Sequence, residues 1–216
     1  MPLPTDNMLF GFAEKLTDEQ RIYVDSIFDN QLTIVNAKSG TGKTTLAVAC
    51  AALLGNPLIY TFAPVEEGKL GYTPGDQEEK ESKYITPLLD ALGEIREDPR
   101  FAIRSNKNPD VINEHAWITA ESHVFMRGRN IKNSTLIIEE SQNMTRGDLK
   151  KILTRCHDST TVIMIGHDAQ CDLKNPSKSG FVPYMEHFRG KPYAKVVDLT
   201  VNFRGQLAQD ADELGW

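Results

Sequence analysis

Three things are scarce in this 216-residue sequence, and each scarcity narrows what the chain does. Cysteine occurs only as Cys50, Cys156 and Cys171, an odd number at wide spacing with no C-x-x-C pair. That pattern argues for reduced thiols and against a disulfide framework or a zinc site. Positive charge is in deficit: 24 Lys and Arg against 30 Asp and Glu leave a formal net charge of −6. A nucleic-acid coat over the whole surface needs clustered cations, so any such contact is confined to a local patch. Long apolar runs are missing as well. The longest, LAVACAALLG from Leu46, falls far short of the ~20 residues of a membrane span. The start, MPLPTDNMLF, has no basic segment leading into an apolar run, so no secretory signal is read there. Repeats and low-complexity tracts are absent too. The expectation is a soluble, cytoplasmic protein without membrane contact, forming one domain over residues 1–216.

What is present is an alternation. LTIVNA from Leu32, LIYTF from Leu58, TLIIE from Thr135, TVIMIG from Thr161 and KVVDLT from Lys195 read as strands. Three of them are almost continuously apolar, as strands buried on both faces of a parallel sheet are. Helical patterns cover 44–54, 84–95, 148–156 and 181–188, and LTDEQRIYVDSIF reads as a helix capped by Thr17 or Asp18. The pattern predicts a three-layer α/β fold with a mainly parallel sheet. The polar stretches 66–83 and 104–110 read as long loops near a ligand site.

The stretch NAKSGTGKTTLA places four residues between Ala37 and Gly42-Lys43-Thr44, the P-loop spacing with Ala for the first Gly. Glycines let the backbone curl so that successive N–H groups point at phosphate oxygens, and the helix that follows adds its positive end. Ser39, Gly40, Thr41, Gly42, Lys43, Thr44 and Thr45 are the expected nucleotide-binding residues. Lys43 would reach the β- and γ-phosphates and Thr44 would hold Mg²⁺. A nucleotide-cleaving site also needs acids at a neighbouring strand end. STLIIEESQN supplies Glu139 for the metal and Glu140 for the attacking water. Gln170, in GHDAQCDL after the next strand, is placed to contact the γ-phosphate or orient water. FMRGRNIK puts Arg127, Arg129 and Lys132 beside Phe125, a candidate nucleic-acid surface. His115, His123, His157 and His187 show no ligand spacing.

Competing readings share the P-loop. A small-molecule kinase would need an Arg-rich lid, but 66–83 is acidic and carries no Arg. A GTP switch would need N-K-x-D, and NKNPD at Asn106 misses it by one position. A nucleotide-gated assembly protein with little hydrolysis stays open.

With these residues in hand, the chain resembles the PhoH family of P-loop ATPases, itself similar to the first motor domain of superfamily-one helicases, from about Leu16 to Leu214. SGTGKTTLAVACA, the block PVEEGKLGYTPGDQEEKESKYITPLLDAL, FMRGRNIKNSTLIIEESQNMT, GHDAQCDL and SKSG carry the likeness in order. The resemblance implies a RecA-like P-loop domain that binds ATP and Mg²⁺, hydrolyses ATP, and assembles as a homo-oligomeric ring, with hexamer one size considered. It further implies RNA or single-stranded DNA as partner. Gln20 resembles the helicase glutamine that reads adenine. Arg204, in NFRG, resembles the helicase Asn-aromatic-Arg motif and would reach the γ-phosphate of a neighbouring subunit, since no second motor domain is expected after it. The chain departs from the family at Glu139-Glu140-Ser141-Gln142, where Asp-Glu-Ala-Gln is usual, and at Gly166-His167, where Gly-Asp is common. Where the family has Arg-Pro, FAPVE stands instead.

Overall fold

Thr17 starts the first regular helix. Its hydroxyl accepts the Gln20 backbone N–H at 3.3 Å, and the Gln20 amide oxygen returns to the Thr17 N–H at 3.1 Å, a complete capping box. The computed structural model describes residues 1–64, 83–104, 115–126 and 128–213. Their order is helix α1 (Asp18–Asp29), β1 (Leu32–Ala37), α2 (Lys43–Leu54), β2 (Leu58–Phe62), α3 (Thr86–Glu94), β3 (Ile118–Ser122), β4 (Thr135–Glu139), α4 (Arg146–Leu153), β5 (Thr161–Gly166), α5 (Phe181–Phe188), β6 (Ala194–Leu199) and α6 (Gln206–Glu213).

All six strands join one sheet in the order β3-β2-β4-β5-β1-β6, and every pairing is parallel. Alternate side chains therefore feed two cores. Val35, Ile137, Ile163 and Ile165 point to the face covered by α1, α2 and α3. Ile34, Leu136, Ile138, Val162 and Met164 point to the face covered by α4 and α5. The result is the expected three-layer RecA-like arrangement. Helix α2 packs between α1 and α3, and its residues from Leu46 to Ala51 are all buried. That explains why its sequence is apolar all round, without an amphipathic stripe.

Five strands and α5 stand where the sequence puts them, β6 shifted one residue earlier at both ends. Other boundaries moved for local reasons. α2 starts at Lys43 because Gly42, at φ +77, caps it. The helix expected over 84–95 opens as a 3₁₀ turn, Lys83–Ile85, before Pro87 fixes the first turn of α3. α4 starts two residues early, at Arg146, because Thr145 caps it by accepting the Asp148 N–H. Strand β3 was not read from the sequence. The expected loop 66–83 lies outside the described residues except for Lys83, and 104–110 except for Arg104.

Candidate functional site

The carboxyl ends of β1, β4 and β5 share one edge of the sheet, which is where a parallel α/β fold binds ligands. The loop from Lys38 to Gly42 curls there between β1 and α2. Gly40 and Gly42 have φ of +73 and +77, a region closed to most side chains. Gly40 is needed for a second reason: a Cβ on it would lie 2.6 Å from Asn202 Oδ1 and 2.8 Å from Arg204 Cγ. Thr41 is buried and donates its hydroxyl to the Lys38 carbonyl at 3.1 Å.

The Thr44 hydroxyl meets the Glu139 carboxylate, 3.1 Å from each oxygen, across 95 residues of sequence. Glu139 is only 2% exposed. Burial, and then the neighbouring Glu140 charge, push its carboxyl up to about 7, against the pull of Lys43 and the Thr44 hydrogen bond. Among the described residues no cluster of three or more His, Cys, Asp or Glu could hold a metal by itself. One hydroxyl and one carboxylate in contact are instead the donor set of Mg²⁺, which keeps phosphates and waters in the rest of its shell, so the residues fit that ion.

Glu140 follows in a left-handed conformation, φ +50 and ψ +42, just past the end of β4. Gln142, 2% exposed, donates its amide to the Glu140 carboxylate and accepts the His167 backbone N–H at 3.2 Å. Ser141 and Asn143 tie the same turn to β5 and its loop, through the Ile165 carbonyl at 2.6 Å and the Asp172 N–H at 2.7 Å. His167 therefore holds the strand end through its backbone whatever its side chain. Gln170 lies in this loop, with its backbone N–H on the His167 carbonyl at 3.3 Å; it does not line the nucleotide-sized cavity beside the P-loop.

That cavity, about 450 Å³, opens beside the P-loop. Phosphate-side residues from Gly40 to Thr45 and Gln20 form one end; Phe12, Leu16 and Phe203 give an apolar part, and Asp90 and Glu94 of α3 an acidic rim. Arg204 lines it too, its guanidinium donating to the Ser39 hydroxyl of its own chain. The Phe203 N–H donates to the Gly40 carbonyl at 2.9 Å. The Glu19 carboxylate accepts both the Thr200 N–H and hydroxyl at 2.7 Å, and these hold it below the usual glutamate range. The segment 200–204 is thus strapped across the P-loop.

Arg129 pairs with Glu121 on the edge strand β3, Lys132 is exposed, and Arg127 lies outside the described residues. Phe125 beside them is exposed. Sequence reasoning missed Phe12 and Phe203 as cavity walls and Gln142 as the partner of Glu140. The pattern EESQN carried the last signal, an amide two residues after a candidate base.

A family model described as PhoH-like protein matches residues 13–213. A PhoH-like protein of Synechocystis sp. is 39% identical over 170 residues, covering 76% of this chain and 49% of that protein. Protein PhoH2 of Bacillus subtilis is 32% identical, covering 97% of this chain and 49% of that protein. The chain thus spans about half the length of these curated relatives. Among solved structures, the large terminase of the thermophilic bacteriophage D6E superposes with a TM-score of 0.55 at 12% identity, over 99% of this chain and 50% of that one, a likeness of fold.

Proposed function

The chain belongs to the PhoH family, and from that premise we propose that it is a Mg²⁺-dependent ATPase that works as a homo-oligomeric ring coupled to RNA or single-stranded DNA. The observation that carries the reading is the contact between Thr44 and Glu139, which joins the P-loop to the acidic strand end at 3.1 Å. Lys43 binds the β- and γ-phosphates. Thr44 and Glu139 hold Mg²⁺, which when bound neutralises charge on those phosphates. Glu140, oriented by Gln142, takes the proton from the attacking water, and Gln170 contacts the γ-phosphate from the β5 loop. Arg204 stabilises the negative charge that builds on the transferred group. Its contact with Ser39 supports action within its own subunit rather than across an interface. Arg129 and Lys132, with Arg127, are the proposed nucleic-acid contacts.

A second reading, nucleotide-gated assembly with little hydrolysis, has one observation in its favour: Glu140 and Arg204 are both hydrogen-bonded within the protein. Phosphate release from Mg²⁺-ATP, measured with and without single-stranded RNA and alongside nucleotide binding, decides between the two. The ATPase reading expects sustained turnover that RNA accelerates. Binding without turnover in either condition would reject it in favour of the second.

A further inference from the structure

Helix α1 grips the P-loop by its carbonyls. Gln20 is 8% exposed, and both ends of its amide are engaged inside the protein. Oε1 accepts the Thr17 N–H at 3.1 Å, and Nε2 donates to the Thr41 carbonyl at 2.9 Å. One turn further along, the Tyr23 hydroxyl donates to the Lys43 carbonyl at 3.3 Å. The two gripped carbonyls lie on either side of Gly42, the residue whose positive φ turns the loop into α2.

The peptide bond makes this grip consequential. In a trans peptide the C=O and the following N–H point in opposite directions in one plane. Fixing the Thr41 carbonyl toward Gln20 therefore aims the Gly42 N–H the other way, and fixing the Lys43 carbonyl does the same for the Thr44 N–H. These N–H groups belong to the cradle that receives phosphate oxygens. Gly42 packs close enough to the clamp that a Cβ on it would sit 3.4 Å from Gln20 Nε2.

We infer that Gln20 is a positioning residue for the phosphate cradle and acts on the triphosphate, not on the base. The inference rests on the nucleotide-binding part of the function proposed above, and it replaces the adenine-reading role expected from the helicase likeness. It carries a sharp consequence. Removing the Gln20 amide should weaken every ligand that has the phosphate chain by one common factor, including a ligand with no base at all.

The experiment measures dissociation constants of ATP, GTP and inorganic tripolyphosphate, each with Mg²⁺, by titration calorimetry. The proteins are wild type, Gln20→Met, Gln20→Ala and Thr17→Ala. Gln20→Met is neutral and of similar length, so it removes the hydrogen bonds without adding charge. Thr17→Ala removes the side-chain cap but leaves the grip on Thr41, which separates a frayed helix from a loosened loop. Losing one buried hydrogen bond predicts weakening of about tenfold for all three ligands in both Gln20 variants. The ATP-to-GTP ratio should stay at its wild-type value, and Thr17→Ala should bind within about twofold of wild type. If Gln20→Ala fails to fold, Gln20→Met decides. Weakened ATP with unchanged tripolyphosphate would overturn the inference in favour of base reading, and so would wild-type affinity for all three ligands. Wild-type protein that binds none of the three rejects the nucleotide-binding reading itself, a failure distinct from the first two.

Discussion

Glu139 is a buried carboxylate, and the surroundings answer with the Thr44 and Tyr60 hydroxyls and one nearby lysine. A buried charge so thinly compensated is costly unless a cation joins it. Glu139→Gln should therefore leave nucleotide binding largely intact but remove its dependence on Mg²⁺, seen as equal affinity with and without EDTA. Without nucleotide, its melting temperature should be at or above that of wild type, because the uncompensated charge is gone. Glu140→Gln should behave differently. It should bind Mg²⁺-ATP normally while phosphate release falls by about 10²–10⁴, the usual contribution of a positioned base. Reversal of the two phenotypes would exchange the roles of the two acids. Lys43→Ala should abolish triphosphate binding in calorimetry with an unchanged melting temperature, since Lys43 packs no core.

Among the elements, the strap 200–204 shows how a turn and a strand end become one unit. Asn202 and Arg204 occupy the space beside Gly40, and Glu19 of α1 holds the strap's near end at Thr200. Gly40→Ala must displace that strap and also strain a backbone at φ +73. Gly55, at φ +69 with nothing within 4 Å of a Cβ, supplies the control, because only strain acts there. Gly55→Ala should cost about 1 kcal/mol in urea unfolding. Gly40→Ala should cost roughly 1–2 kcal/mol more and should also lose nucleotide, because the strap and the cradle shift together. Equal costs at both sites would mean that the strap yields freely. Elements differ in how plainly the sequence announces them, for the same kind of reason. β4 and β5 are covered on both faces and read as TLII and VIMI. β3 is an edge strand, half-buried along its middle, and its ITAES shows neither an apolar run nor a strict alternation.

For the whole molecule, sheet order is the deciding variable. Inserting β5 between β4 and β1 places the acids and the P-loop strand one strand apart, with Gln142 and Ser141 bridging to the inserted strand. The same closure brings Arg204 to Ser39 across 165 residues. Mixing Lys43→Ala with Arg204→Ala subunits tests which subunit that arginine serves: action within one chain predicts no recovery of ATPase in co-assembled rings, and partial recovery would show that it crosses the interface. The sequence by itself determined the alternation of strands and helices, the P-loop and the two glutamates, because apolar runs, glycine at positive φ and acids at a strand end are local properties. It pointed to Gln20 and Arg204 as important without their geometry. Only the tertiary structure decided that the Gln20 amide grips the Thr41 carbonyl, that Arg204 lies on its own chain's P-loop, and that Gln142 holds Glu140. The first two depend on distant segments packing against the P-loop, and the third, though only two residues apart, on the end of β5 that fixes Gln142 through the His167 N–H; that packing of helical layers on a parallel sheet is encoded by no local stretch of sequence.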